Sequence, residues 1–233
     1  MVKENLMEVE SRIQAACARS GRSREDVLLI AVSKTKPVEL IREIMETGTR
    51  DFGENKVQEM CNKIEEIKEP LNWHLIGHLQ RNKVKYIVDK ACLIHSVDSV
   101  RLAEEIQKEA VKKGVSKVPV LIEVNMAQED SKDGISAQET EALVRAIAEL
   151  PNLQVRGLMT IAPFVDDPEE NRVHFRAMRN LRDRLKALNI PGTEMEELSM
   201  GMTNDFEVAI EEGSTMVRVG TAIFGERNYN KDL

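Results

Sequence analysis

Residues 26–48 read DVLLIAVSKTKPVELIREIMETG, and this stretch decides the fold. Leu28 to Val32 is an uncharged apolar run of the length of a buried strand. Pro37 suits the first turn of a helix that the spacing predicts over 37–46, with Gly48 as its stop. One strand, a short polar loop and one helix make a βα unit, and the same unit recurs downstream. Strands are expected at 50–53, 72–77, 92–96, 117–125, 153–160, 194–200 and 214–219. Helices are expected between them at 55–69, 80–89, 99–113, 136–150, 169–188 and 204–212. Pro70, Gly114, Pro151 and Gly213 supply stops, and Ser136 with Glu139 supplies a capping box. Upstream, Leu6, Val9, Ile13, Ala16 and Cys17 fall at helical spacing, so 3–19 reads as an extra amphipathic helix. Strands separated by helices require a parallel sheet. Eight such units close a (β/α)8 barrel, whose usual size is about 250 residues. The expected fold is therefore α/β: a single TIM barrel with an added N-terminal helix, one domain over 1–233. An open doubly wound sheet is the alternative. It would carry a Gly-rich first turn, and Ser33-Lys34-Thr35-Lys36-Pro37 is not one.

Composition narrows the function classes. The 233 residues are 42% hydrophobic and 31% charged, with a net charge of −7. Such an acidic chain does not suit general binding to nucleic acid or anionic membranes. Mean hydropathy is −0.35, and no long uncharged apolar run is present to span a membrane. MVKENLMEVE places acids where a signal peptide needs an apolar region. Cys17, Cys61 and Cys92 form no CxxC pair, which suggests neither a disulfide framework nor zinc. A reducing cytoplasm is the expected location. His74 and His78 are four apart, but the residues between them read as a strand end, where a metal pair would want a helix. No metal is expected.

Barrel chemistry sits where strands end. Lys34 follows the first strand into that mouth, where partial desolvation lowers an ammonium's pKa and the neutral amine can attack a carbonyl. A solvated loop lysine is the plainer reading. The seventh and eighth strands end in Ser199, Met200, Gly201 and Thr203, and in Arg218, Gly220 and Thr221. Small residues let backbone N–H groups approach an anion, and a phosphate site recurs at this place in such barrels. Turn glycines with no ligand are the alternative. An amine, a phosphate cradle and an arginine in one mouth suit a phosphorylated aldehyde. Pyridoxal 5′-phosphate (PLP) is the obvious one, with Lys34 as its Schiff-base partner. Lys36 and Lys56 also lie near the mouth and are candidates for a second acceptor. The basic run 80–85 and the acidic run 166–170 read as solvated helix starts, and Met200, Met202 and Met216 as packing.

Seven stretches resemble the pyridoxal phosphate homeostasis proteins: LLIAVSKTKP (28–37), DFGENKVQE (51–59), WHLIGHLQRNK (73–83), EDSKDGI (129–135), RGLMTIAPF (156–164), LSMGMTNDFEVAI (198–210) and GSTMVRVGTAIFG (213–225). They run in order over nearly the whole chain. The resemblance implies a barrel of the alanine-racemase N-terminal-domain type that binds PLP. Lys34 would form the Schiff base. Ser199, Met200, Gly220 and Thr221 would hold the phosphate, partly through backbone N–H groups. Arg218 would lie near the pyridine nitrogen, and Asn55 would line the ring pocket. Thr203-Asn204 departs from the Ser that many members carry, but Thr keeps the hydroxyl.

A cation beside the ring nitrogen disfavours its protonation and makes the ring a poorer electron sink. Transaminase-like turnover is thereby disfavoured, while racemisation is left open. Racemases of this fold add a β-domain after the barrel and use a catalytic Tyr. Here the chain stops at Leu233, and Tyr86 and Tyr229 are the only tyrosines. The expected function is thus a PLP binder serving intracellular PLP homeostasis, with no catalytic residue. Apo PLP-dependent enzymes are its candidate partners, and a monomer is expected. The alternative is a fold-type III PLP enzyme such as an amino-acid racemase. A third reading, a cofactor-free Schiff-base aldolase, would also use Lys34.

Overall fold

The first and last strands lie side by side, and this decides between the two sheet architectures. In the computed structural model, which describes residues 1–128 and 133–226, β1 (Leu28–Val32) pairs in parallel with β8 (Met216–Val219) from Leu28 opposite Met216 to Ala31 opposite Val219. The intervening strands are β2 (Asp51–Glu54), β3 (Asn72–Leu75), β4 (Leu93–Val97), β5 (Val118–Glu123), β6 (Leu153–Met159) and β7 (Thr193–Met202). They pair in sequence order and close the barrel, so the open sheet is excluded.

Helices cover the outside. They are α1 (Val2–Arg19), α2 (Val38–Met45), α3 (Val57–Glu66), α4 (Val84–Ile87), α5 (Val100–Lys113), α6 (Thr140–Ala148), α7 (Arg172–Ala187), α8 (Phe206–Glu211) and α9 (Thr221–Phe224). Three differ from expectation. The helix expected over 80–89 is a 3₁₀ turn at Arg81–Lys83 followed by the single turn of α4. Ser136 caps a separate turn, accepting the Glu139 N–H at 3.3 Å, and α6 starts one turn later. The one-turn α9 is too short to leave a periodicity in sequence. Because α8 and α9 are short, α1 fills the outer ring over the β8–β1 seam. It buries Leu6, Val9, Ile13 and Cys17, sends Asn5 Nδ2 to Ile223 O at 3.0 Å, and lays Arg12 over the Phe206 ring at 4.6 Å.

The core has two parts. A large apolar layer lies between barrel and helices, including Ile41, Phe52, Met60, Ile106, Phe175 and Met200. A small cluster of Ile30, Leu93, Leu121, Met159 and Met216 fills part of the barrel interior. Buried polar side chains share that interior, among them His74, His95, Ser199 and Arg218.

Candidate active site at the barrel mouth

Lys34 is half-buried, two residues past the end of β1. The turn that carries it is held from behind. Lys63, on α3, is buried and donates to Ser33 O at 2.8 Å, Glu54 Oε1 at 2.7 Å and Glu59 Oε1 at 2.7 Å. Ser33 Oγ donates to Glu54 Oε1 at 2.5 Å, and the Thr35 N–H to Glu59 Oε1 at 2.5 Å. Those bonds hold Thr35 at φ 63°, a left-handed conformation that is a strain for a β-branched residue. Burial raises the Glu54 carboxyl above its ordinary value, against the pull of Lys63.

Asn55 follows β2 and is half-buried at the rim. Gly77 permits its position: a Cβ there would lie 2.5 Å from Asn55 O. Lys36 is half-buried. Its ammonium donates to the carbonyls of Phe224, Gly225 and Glu226 at 3.1, 2.9 and 2.8 Å, tying down the end of α9. Lys56 lines an outer groove with Gln58 and Asn62.

Across the seam, Arg218 is buried in the barrel. It donates from Nη1 to Ser199 Oγ at 2.6 Å and from Nη2 to Thr160 O at 3.0 Å. Burial pushes its guanidinium down to about 10, with Glu123 and Asp205 opposing, so it remains cationic at neutral pH. The Ser199 hydroxyl is engaged inside the barrel by Arg218 and by His95 Nδ1 at 2.8 Å. The Met200 side chain belongs to the outer core, and its carbonyl accepts from Ser214 Oγ at 2.7 Å. That leaves its backbone as the part that borders the rim. Gly201 has φ 95°, and a Cβ there would sit 2.6 Å from the Ala209 Cβ. The tight turn brings Thr203 Oγ1 to accept the Ala222 N–H at 3.4 Å. The loop after β7 thus meets the turn Gly220–Thr221 that opens α9.

The opposite side of the mouth is acidic. Glu123, at the end of β5, is raised to about 7 by burial and by Asp133 and Asp98, with Arg218 pulling the other way. His78, Asp98 and Asp133 bring ligand-type atoms within 4.8 Å of one another. Exposed acids cluster in this way without an ion, so the trio alone makes no metal site. Behind Arg218 the polar contacts continue. His95 Nε2 is 2.9 Å from His74 Nδ1, and His74 Nε2 is 3.0 Å from Asp51 Oδ1. Sequence reasoning missed His95, Glu123, Glu54 and Lys63. A charged or imidazole residue inside an otherwise apolar strand, as in Leu93-Ile94-His95, was the available signal. Residues 129–132 of the EDSKDGI motif and Tyr229 lie outside the described residues.

The chain matches the family described as alanine racemase, N-terminal domain, over residues 5–228. It is 49% identical to the pyridoxal phosphate homeostasis protein of Aquifex aeolicus over 97% of this chain and 98% of that one. The chain belongs to the pyridoxal phosphate homeostasis protein family. The structure of PipY of Synechococcus elongatus with PLP bound is 35% identical, with a TM-score of 0.84, covering 97% of this chain and all of that one. Alanine racemase of Clostridium difficile is 15% identical with a TM-score of 0.77, and the match takes in 57% of that longer chain. That likeness shows the fold alone. Among the described residues, no helix is long and apolar enough to cross a membrane, and Cys17, Cys61 and Cys92 are free thiols.

Proposed function

We propose that this family member holds PLP at the C-terminal mouth of its barrel and serves PLP homeostasis without turnover of its own. The observation that carries this reading is the pairing of Lys34 and Arg218 at one mouth, in a chain 35% identical to a protein solved with PLP bound. The donor set fits the cofactor: one amine, one buried guanidinium, and a turn of small residues with a hydroxyl beside it. The Lys34 nitrogen would bond to the aldehyde carbon, with the carbonyl oxygen leaving as water. Asn55 would line the ring. Gly220, Thr221 and the Met200 backbone would hold the phosphate together with the Thr203 hydroxyl, and Ser199 would keep Arg218 in place. PLP supplies an electrophilic aldehyde and an electron-withdrawing ring.

Arg218 opposes protonation of the ring nitrogen, because two cations in a buried site repel. That weakens the ring as an electron sink and supports holding over turnover. Tyr86 supports the same reading: it sits on α4 at the outer surface, 45% exposed, with Lys85 Nζ 5.1 Å from its ring. It is not placed to act as a second base at the mouth. We assign the protein to the cytoplasm as a monomer, with apo PLP-dependent enzymes as recipients; its three free thiols support a reducing compartment.

The test is an absorbance spectrum with added PLP, followed by borohydride reduction and peptide mapping. The expected result is a near-visible band, a pyridoxyl mass on Lys34, loss of both in Lys34→Ala, and no amino-acid racemisation. Absence of a band would overturn the reading. Racemisation that disappears in Lys34→Ala would replace it with an enzyme.

A further inference from the structure

Five polar side chains form an unbroken line of hydrogen bonds through the barrel. It runs from Asp51 through His74, His95 and Ser199 to Arg218, with separations of 3.0, 2.9, 2.8 and 2.6 Å. One end reaches the mouth. The other opens into a cavity of about 560 Å³ at the N-terminal end of the barrel, lined by Asp51, His74, Cys92, Arg156 and Glu197 among others. His95 and Ser199 are fully buried. Apolar side chains like the neighbouring Leu93 and Met159 could fill that volume without desolvating two imidazoles. The line therefore calls for a role.

The chemistry of its ends fixes its direction. A guanidinium can only donate, and an ionised carboxylate can only accept. Ser199 then accepts from Arg218 and donates its hydroxyl proton to His95 Nδ1. His95 carries its proton on Nε2 and donates to His74 Nδ1. His74 in turn donates Nε2–H to Asp51. Every donor meets an acceptor, and both imidazoles are neutral in the same tautomer. The reverse arrangement, with His95 protonated on Nδ1, needs His74 to donate from both nitrogens. It therefore requires one more proton than the line holds in the first arrangement. The charged surroundings differ at the two ends, and at the lower end Asp51 and His74 share the cavity with Glu25, Asp26, Arg156, Glu196 and Glu197. His95 faces His74 and Arg218, which with burial keep it neutral. Arg218 faces Glu123 and Asp205. Asp51 faces His74 and lies near the Cys92 thiol.

We propose that His95, backed by His74 and Asp51, is a positioning residue for Arg218, and that it couples the guanidinium at the mouth to proton exchange at the opposite end of the barrel. His95 compels the Ser199 hydroxyl to point away from Arg218, so that the oxygen's lone pair is always presented to Nη1. Without it the hydroxyl can rotate, and the guanidinium loses a fixed partner. The proposal rests on the PLP reading in one respect, that Arg218 faces the ring nitrogen.

Two measurements test it. Long-range proton–nitrogen NMR of histidine-labelled, cofactor-free protein at pH 8 is expected to show His74 and His95 both protonated on Nε2. A proton on His95 Nδ1 at that pH would overturn the proposal. This holds even if no PLP band forms, an outcome that would sink the cofactor reading alone. With PLP added, the pH midpoint of the near-visible band is then compared across variants. His95→Leu is expected to move it by about one unit, equivalent to a tenfold change in proton affinity. His95→Gln, which can accept from Ser199 and donate to His74, is expected to restore most of it. Asp51→Asn, at the partly exposed end of the line, tests the same coupling should His95→Leu fail to fold. It is expected to move the midpoint in the same direction by less. A midpoint unchanged in every folded variant would overturn the proposal, since a merely structural histidine would alter the melting temperature and leave the midpoint in place.

Discussion

Glu123 shows how burial at the mouth makes one residue pH-sensitive. Its carboxyl, raised to about 7, keeps a proton in the folded state that the unfolded chain releases near 4.5. The folded state thus binds more protons between these values, and stability falls as pH rises through that window. Denaturant unfolding at pH 5 and pH 8 is expected to show a loss of about 2 kcal/mol attributable to this group. Glu123→Gln is expected to remove most of that dependence. If the variant keeps the full pH slope, another group is responsible. The positions of Lys34, Arg218 and Thr221 at or near strand ends were legible in the sequence because strand ends can be located from apolar runs. Glu123 and His95 were not, because strands buried on both faces give no alternation from which to tell inward from outward. The partner of Ser199 was equally hidden: His95 lies 104 residues away and meets it only across the closed barrel.

At the level of elements, the Lys63–Glu54 pair ties α3 to the end of β2 and, through Ser33, to the turn bearing Lys34. The pair is almost fully buried, at 7% and 0% side-chain exposure. Breaking such a pair costs about 3–5 kcal/mol, because the remaining charge is left buried and uncompensated. Lys63→Ala is therefore expected to lower unfolding stability by that amount in urea titrations. The double variant Lys63→Met, Glu54→Gln is expected to recover most of it. A single variant as stable as the parent would show that the pair contributes nothing to the anchoring of the turn. All eight strands were readable, most of them as apolar runs bounded by turn residues, although β2 (DFGE) and β7 (TEMEELSMGM) carry charges. Helix lengths were read less well. Over 80–89 the apolar positions Val84 and Ile87 supported one turn, and the flanking charges extended the apparent pattern.

For the whole molecule, α1 packs against the helices that flank the seam where β8 meets β1. The β8–β1 seam would otherwise be covered only by the short α8 and α9. Truncation of residues 1–19 would expose the surface now packed on Leu6, Val9, Ile13 and Cys17. The truncated chain is expected to bind a hydrophobic dye and to lose cooperative unfolding. Unchanged cooperativity would mean that the barrel seals its own seam. The count of eight units was legible in the sequence, whereas the task of the extra helix was not, because its partners lie about two hundred residues downstream.

The pairing of β1 with β8 sets Ile30 opposite Arg218, so the groups proposed to grip the cofactor come from the two extremities of the strand order. During synthesis, Lys34 emerges early and waits for its counterpart until nearly the last strand has left the ribosome. A nascent chain or a prematurely terminated product has the amine without the guanidinium. Only a completed barrel can hold the cofactor by both, and the cofactor in turn stabilises only that completed state. PLP would then act as a selective ligand for finished copies.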